Sequence, residues 1–376
     1  MKVLILFSHA WRGGRSGGAE TQALQLIKEL AGRGHEIYFV ASTGKQDTSL
    51  LPPGALAQYR LPFQSFNPLD KVQAFRQLLQ IVERHKIELI HAHHRTGGYF
   101  AECLYRRAGV PYIVTVHDIW HRAPAKWVHG FLFRNLIAVS SFIKRGLTER
   151  FGFTPDRIQM IYNGVDPRRF ESASDEEAAQ FRARFGLGNA VVFSLVARVS
   201  RSKGHYDVIE ALRLLPHDLP FICLFVGEGK ELPKLRRMAV HYRVQDKLIF
   251  CGYQSEIPAV MRASDVILQP SHREPFGFAT LEAMFSGKPL LVSASGGTTE
   301  LVTDDREGIV FPVSDVAALA KGIERLTKDE GLRQRLGQQS HTTAYERFLL
   351  SKTIDETEAY YFDVVRAANA EHRMTA

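Results

Sequence analysis

Two carboxylates in the second half of the chain have the types and spacing that could do chemistry. Glu274 lies on a short loop directly after a predicted strand, and Glu282 follows on a helix that Gly277 opens. Carboxylates accept hydrogen bonds from vicinal hydroxyls, and the N–H groups at a helix start attract phosphate. The pair therefore suits a ligand that carries both vicinal hydroxyls and a phosphate group. Spacing alone also permits the acid and nucleophile of a glycoside hydrolase, or two carboxylates of which one only favours the helix dipole.

Two further loops have residues suited to a phosphorylated ligand. Arg198 and Lys203 follow the first predicted strand of the second half, where a planar guanidinium and an ammonium could clamp a diphosphate. Gly17 and Gly18 close a glycine-rich loop before the first predicted helix, and glycine lets a backbone approach a ligand closely. Each loop taken alone is also typical of exposed cations or of a tight turn.

Short apolar runs alternate along the chain with segments that repeat apolar residues at helical spacing. The predicted strands are 3–7, 36–41, 89–92, 112–116, 136–139 and 160–162, then 191–196, 221–226, 248–251, 266–269, 290–293 and 308–311. Helical spacing is clear at 23–30, 72–82, 208–215 and 319–326. This alternation predicts an α/β protein whose parallel sheets are covered by helices on both faces, with about six strands in each of two doubly wound domains.

The length of 376 residues suits two domains of about 100–200 residues each. A polar stretch within 166–190 predicts the linker, so we expect domains at 1–167 and 168–351, with a final helix at 352–370 that completes the first domain. Ligands of such sheets bind at the carboxyl ends of the strands, where the two carboxylates and the two cations lie.

Composition excludes several classes of protein. Hydrophobic residues make up 45% and charged residues 23%, and no segment approaches the about 20 apolar residues of a membrane span. The start of the chain is typical of a buried strand and not of a signal peptide. Three widely spaced cysteines form no CxxC pair, which suits a reducing compartment. We therefore expect a cytoplasmic protein.

The positive charge is concentrated in the first part of the chain. Residues 1–170 contain 23 Lys and Arg against 12 Asp and Glu, whereas the whole chain has a net charge of +8. This asymmetry indicates an acidic or phosphorylated acceptor, an anionic membrane surface or nucleic acid, or else a solvated basic face. Nucleic acid is disfavoured because no nucleic-acid motif occurs and the basic residues are dispersed.

Several motifs in succession resemble those of the retaining glycosyltransferases of family GT4. Glu274 and Glu282 match the E-x7-E motif of that family, and the other similar segments, in order along the chain, are 17–20, 115–118, 163–166, 198–204, 227–229 and 295–300. Ala197 and Thr299 depart from the glycine and proline that are common there. The resemblance implies the GT-B fold, in which two Rossmann-like domains face each other across a central cleft.

The resemblance also implies a chemistry. It is a metal-independent, anomer-retaining transfer of a sugar from a UDP- or GDP-linked donor, with no cofactor because the nucleotide sugar is a substrate. The residues of catalysis would be Glu274, His117, Arg198 and Lys203. The donor would be held by Gly17, Gly18, Arg198, Lys203, Glu228, Tyr253, Glu274, Phe276, Gly277, Phe278 and Glu282.

Within this set the resemblance implies separate roles. Arg198 and Lys203 would bind the diphosphate and stabilise the charge of the leaving nucleotide. Glu282 would bind the ribose, and Glu274 and the loop 276–278 the sugar. His117 would contact the sugar near the reacting carbon.

The acceptor is expected to lie on the basic first half, with Asp118, His93 and Arg95 as candidate contacts. A lipid-linked or lipopolysaccharide-type glycan of cell-envelope synthesis is the preferred acceptor, and a small soluble phosphorylated acceptor is the alternative. An epimerase or phosphorylase of the same architecture also stays open. The basic segments 126–134 and 71–86 are candidates for contact with the inner face of the cytoplasmic membrane.

His91 and His93 share one face of a predicted strand and invite a metal interpretation. The spacing provides no third ligand, so no metal site is expected.

Overall fold

The computed structural model describes residues 1–10, 17–42, 54–119, 133–171 and 174–375. The chain divides into two compact units. The N-terminal unit comprises Met1–Gly164 together with Ser351–Ala376, and the C-terminal unit comprises Val165–Leu350. These borders lie a few residues from the ones expected at 167 and 351.

The N-terminal unit is built on a seven-stranded parallel sheet with the order β3-β2-β1-β4-β5-β6-β7. Its strands are β1 (Lys2–Ala10), β2 (Glu36–Ser42), β3 (Ala55–Leu61), β4 (Leu89–Ala92), β5 (Tyr112–Val116), β6 (Leu136–Ala138) and β7 (Ile158–Met160). Its helices are α1 (Gly18–Gly32), α2 (Pro68–His85), α3 (Arg95–Ala108), α4 (Ser141–Phe151) and the C-terminal helix Leu350–Thr375.

The sequence prediction missed one strand of this sheet and displaced another. β3 lies at the edge of the sheet, where only its first and last residues are buried, so its sequence ALAQYRL lacks the continuous apolar run of a central strand. The strand predicted at 160–162 lies instead at Ile158–Met160.

The C-terminal unit is built on a six-stranded parallel sheet with the order β10-β9-β8-β11-β12-β13. Its strands are β8 (Val191–Val196), β9 (Phe221–Val226), β10 (Leu248–Gly252), β11 (Val266–Gln269), β12 (Leu290–Ser293) and β13 (Gly308–Phe311). Its helices are α5 (Arg168–Glu171), α6 (Asp175–Arg184), α7 (His205–Leu212), α8 (Leu232–His241), α9 (Ile257–Ala263), α10 (Phe278–Phe285), α11 (Thr298–Leu301), α12 (Val316–Lys328) and α13 (Glu330–Arg347). All six strands predicted here are present, and helix side chains pack against the apolar strands in one core.

The stretch 166–190, where the sequence predicts the linker, directly follows the border between the two units. That stretch contains α5 and α6, and it belongs to the C-terminal unit. Ser174 and Glu177 form a capping box at the start of α6, and Phe181 is buried. The polar sequence therefore marks a capped helix with one buried face, not an extended connection.

Strand order is the feature of both sheets that determines where ligands bind. In each sheet the first strand, β1 or β8, has the second strand of the sheet on one side and the fourth on the other. The loops after β1 and β4, and after β8 and β11, therefore run in opposite directions and leave a crevice at the carboxyl ends of the strands.

The C-terminal helix is attached to the N-terminal unit by polar contacts. Arg33 donates to Asp355 (2.5 Å) and to Glu358 (2.6 Å). Deeper in the unit, the hydroxyl of the fully buried Tyr361 lies 2.5 Å from Nδ1 of His91, at the end of β4. None of the helices that the structure describes is long and apolar enough to cross a membrane.

We expect Tyr361→Phe to lower the free energy of unfolding by about 1–3 kcal/mol, because it leaves a buried nitrogen of His91 without its partner. Tyr360→Phe, at the partly exposed neighbouring position, is the matched control. Thermal melting followed by circular dichroism compares the two variants. Equal melting temperatures for both would contradict the importance of the His91 contact.

Candidate active site

The centre of the candidate site is an ion pair between Lys203 and Glu274. The Nζ atom of Lys203 donates to Oε2 of Glu274 over 2.6 Å. Lys203 ends a 3₁₀ turn after β8, and Glu274 follows β11. Since β8 and β11 are neighbours in the sheet, the strand order brings together two residues that are far apart in the sequence.

Two residues that the sequence interpretation missed orient the same carboxylate. Nε2 of Gln269 and Oγ of Ser271 donate to Oε2 of Glu274 over 2.7 Å and 3.2 Å. Glu274 is only 6% exposed, and its Oε1 makes no hydrogen bond with the residues that the structure describes. Three donors thus hold one oxygen and leave the other for a ligand. The signal in the sequence was the polar pair at the end of an otherwise apolar strand.

Close contacts between backbones join the loops around this pair. Gly204 has a φ of +72°, and a Cβ there would lie 1.9 Å from the carbonyl oxygen of Pro270. Gly227 has a φ of +141°, and its Cβ would lie 2.1 Å from the carbonyl oxygen of Ala197. Only glycine satisfies both the conformation and the space. These residues hold the loops after β8, β9 and β11 in one arrangement.

Arg198, Glu228 and Tyr253 lie after the adjacent strands β8, β9 and β10. The Arg198 side chain is exposed, and no hydrogen bond or ion pair joins its guanidinium to any residue that the structure describes. Glu228 is exposed, and its backbone carbonyl accepts from the N–H of Val199 over 2.8 Å. Arg198 thus adds a second cation, without a protein counter-ion in the described residues, on the loop that contains Lys203.

Glu282 lies on α10 and has a cationic partner that the sequence interpretation did not include. Oε1 of Glu282 accepts from Nη1 of Arg169, on α5, over 3.3 Å. The side chain is 13% exposed. Burial raises the pKa of Glu282, and the charge and hydrogen bond of Arg169 oppose that rise.

The side chain of Phe276 is one of those expected to contact the donor. It is buried, with its ring 6.3 Å from the rings of Phe278 and Phe348, so it supports the loop from the core. Gly277 caps α10 with a φ of +106°, and Phe278 begins the helix. The N–H of Gly297 donates to the carbonyl of Glu274 over 2.8 Å, which attaches the segment 295–300 to the site.

In the N-terminal unit the expected residues surround the carboxyl ends of β1, β4 and β5. Gly17 caps α1 with a φ of +123°, and Gly18 is the first residue of that helix. The part of the glycine loop at 13–16 lies outside the described residues. Arg95 begins α3, and the exposed Asp118 accepts from the N–H of Ile119 over 2.8 Å.

His93 and His117 lie side by side. Nδ1 of His93 is 3.1 Å from Nε2 of His117, and the two rings are nearly parallel. His93 is fully buried, whereas His117 is partly exposed. The side chain of His93, an expected acceptor contact, therefore reaches His117 and not the surface.

No group of three or more His, Cys, Asp and Glu side chains suited to a metal ion occurs in the part of the chain that the structure describes. Both nitrogens of His91 lie at hydrogen-bond distance from hydroxyls, of Tyr361 at 2.5 Å and of Thr115 at 2.6 Å. His91 is therefore a structural residue of the N-terminal unit.

Comparison with known families gives two successive matches. A model described as Glycosyltransferase Family 4 matches residues 16–169, and one described as Glycosyl transferases group 1 matches residues 177–343. The N-acetyl-α-D-glucosaminyl L-malate synthase of Bacillus anthracis is 25% identical over 93% of this chain and 95% of its own. The D-inositol 3-phosphate glycosyltransferase of Stackebrandtia nassauensis is 28% identical over 94% of this chain and 88% of its own.

Solved structures share the fold along nearly the whole chain. A glycosyltransferase from Rickettsia africae has a TM-score of 0.87 with 20% identity, over 97% of this chain and 98% of its own. Anabaena HepE in complex with UDP and glucose has a TM-score of 0.84 with 22% identity, over 96% of this chain and 100% of its own.

We expect Arg169→Met to raise the pKa of Glu282 further, because desolvation persists while the opposing charge is lost. A ¹³C NMR titration of the glutamate carboxyls measures the change, with Glu282→Gln to assign the signal. Arg168→Met is the control, since Arg168 pairs with Asp166 instead. An unchanged Glu282 titration in Arg169→Met would contradict the role of this ion pair.

Proposed function

Because this chain belongs to the group 1 (family 4) glycosyltransferases and has their GT-B fold, we propose that it transfers a sugar from a nucleotide-sugar donor to a lipid-linked glycan, with retention at the anomeric carbon and without a metal. The observation that carries this proposal is the Lys203–Glu274 ion pair, whose lysine lies on the same loop as the exposed Arg198. Two cations and an oriented carboxylate lie on the loops after β8 and β11, at the edge where a doubly wound sheet binds its ligand.

Each part of the donor has a matching group in the C-terminal unit. Arg198 and Lys203 bind the diphosphate, because both cations lie on the loop after β8 and can donate charge-assisted hydrogen bonds to phosphate oxygens. Glu282 accepts hydrogen bonds from the ribose hydroxyls, and Oε1 of Glu274 accepts from a hydroxyl of the sugar. A UDP-linked donor is the first candidate because the similar Anabaena structure contains UDP and glucose, and a GDP-linked donor is the second.

The transfer step needs no nucleophile from the protein. The acceptor oxygen forms a bond to the anomeric carbon on the face from which the nucleoside diphosphate leaves. As the bond from that carbon to the phosphate oxygen breaks, the released phosphate oxygen takes the proton of the acceptor hydroxyl. The charge that grows on the diphosphate is stabilised by Arg198 and Lys203, which do the work that a divalent cation does in other transferases.

An exposed apolar cluster on the N-terminal unit supports an acceptor at a membrane. Phe66, Leu69 and Val72 are 98%, 74% and 48% exposed, and together we call them the apolar tip. Leu69 and Val72 lie on one face of α2, and the exposed Arg76 follows one turn later. Aromatic and aliphatic side chains next to a cation suit the interface of an anionic bilayer, where a lipid-linked glycan of the cell envelope would be presented.

The other basic segments expected at a membrane contribute less to the proposed membrane contact than the apolar tip does. His85 lies within hydrogen-bond distance of the Tyr59 hydroxyl (2.6 Å), and burial together with nearby cations lowers its pKa, so it adds no charge at neutral pH. Most of the segment 126–134 lies outside the described residues. The proposed membrane contact therefore rests on the apolar tip and its neighbouring cations.

A small soluble acceptor is the second candidate. It is favoured by two relatives that resemble nearly the whole chain, whose names refer to malate and to inositol 3-phosphate. Both are anionic, and the first 170 residues contain the excess of basic residues. Acceptor assays should therefore include malate and inositol 3-phosphate beside polyprenyl-diphosphate glycans.

We expect Glu282→Ala to weaken donor binding about tenfold or more, because it removes a charged acceptor of ribose hydrogen bonds. Glu274→Ala should mainly lower kcat, because this carboxylate contacts the transferred sugar. Calorimetry and initial rates with UDP- and GDP-sugars, in EDTA and in Mg²⁺, measure both effects. Glu346→Ala, an exposed carboxylate on α13, is the control.

Equal rates in EDTA and in Mg²⁺ are expected, and the NMR coupling constant of the product should show the anomeric configuration of the donor. Loss of activity in EDTA would overturn metal independence, and an inverted product would overturn retention. Normal transfer by both glutamate variants would remove the proposed site.

For the membrane, we expect the double variant Phe66→Ser with Leu69→Ser to lose most of its binding to phosphatidylglycerol vesicles, because each side chain contributes about 2 kcal/mol when buried in an apolar phase. Leu214→Ser removes a similarly exposed leucine from the C-terminal unit and should bind normally. Co-sedimentation measures the bound fraction. If the wild-type protein stays in the supernatant while it glycosylates a soluble acid, the second candidate is correct.

A further inference from the structure

Histidine rings form a continuous stack at the carboxyl ends of β4 and β5. The ring centroids of His91 and His93 are 4.4 Å apart, and those of His93 and His117 are 5.4 Å apart. His91 belongs to β4, His93 follows that strand directly, and His117 follows β5. The stack thus runs from the buried Tyr361, near the middle of the C-terminal helix, towards the partly exposed His117.

The inner two histidines are neutral. Burial lowers the pKa of His91 to about 3, and burial with the nearby histidines lowers the pKa of His93 well below its usual value. A neutral imidazole carries a single proton, so one of its nitrogens donates and the other accepts. For His93 the question is which nitrogen carries that proton.

The surroundings of His93 decide between its two tautomers. Nδ1 is 3.1 Å from Nε2 of His117, whereas the buried Nε2 has no hydrogen-bond partner within the described residues. A proton on Nε2 would bury an N–H donor without an acceptor, while a proton on Nδ1 leaves only a lone pair unused. An orphaned N–H group is the rarer and costlier of the two. His93 therefore donates through Nδ1 to His117.

We propose that His93 is a positioning residue that holds His117 in the tautomer with its proton on Nδ1, so that His117 is a hydrogen-bond donor through Nδ1 and not a base. Because Nε2 of His117 accepts from His93, the single proton of a neutral His117 must be on Nδ1. The inference rests on the proposed function, in which the departing phosphate takes the acceptor proton and no protein base is needed.

The direct test is ¹⁵N NMR of histidine-labelled protein without donor, in which His117→Gln assigns the signals. We expect Nδ1 of His117 to have the shift of a protonated nitrogen and Nε2 that of an unprotonated one. A proton on Nε2 of a neutral His117 would overturn the inference. This reading needs no turnover, so it tests the tautomer even if the proposed donor or acceptor is wrong.

A kinetic test separates positioning from packing. His93→Leu removes the donor but keeps an apolar side chain, and we expect a mixture of His117 tautomers with kcat about tenfold lower and the donor KM nearly unchanged. Tyr361→Phe, which alters the far end of the stack, should leave the His117 tautomer and kcat unchanged. A His93→Leu variant that folds with wild-type kcat would also overturn the inference.

Discussion

Both units depend on the same constraint, which is the reversal of strand order beside the first strand of a parallel sheet. In the C-terminal unit this reversal separates the loops after β8 and β11, and Lys203 and Glu274 meet there. In the N-terminal unit it separates the loops after β1 and β4, where Gly17 and His93 lie. Since strand order determines which strand ends are neighbours and on which side each loop leaves the sheet, it determines which candidate residues lie close together.

In the C-terminal unit, backbone contacts as well as side-chain hydrogen bonds hold the charged residues Lys203 and Glu274 in place. Gly204 and Gly227 allow neighbouring loops to approach more closely than any Cβ permits. The loops are therefore held before a ligand arrives, which lowers the reorganisation needed at the moment of reaction. Gln269 then fixes the orientation of the Glu274 carboxylate by donating to its Oε2 atom. A buried carboxylate beside a cation is acceptable in this protein because donors surround it.

In the N-terminal unit, the candidate residues His93 and His117 belong to a stack of histidines that reaches the C-terminal helix. Its histidine stack is neutral in the interior, and it ends at the C-terminal helix through the hydroxyl of Tyr361. That helix is also held by Arg33 at the surface of the unit. The last segment of the chain thus packs against the inner end of the histidine stack, at His91. Burial and hydrogen-bond direction, and not net charge, determine which nitrogen of His93 carries its proton.

From the sequence alone one predicts the alternation of strands and helices, eleven of the thirteen strands in place and the Glu274–Glu282 pair. These features depend on local apolar spacing and on residues close in the chain. The sequence prediction missed β3, because an edge strand is only half buried and has no strong pattern. Only the tertiary structure decided that Arg169 pairs with Glu282 and that His93 is buried behind His117. Those contacts join distant segments, and strand order, which local spacing does not encode, brings them together.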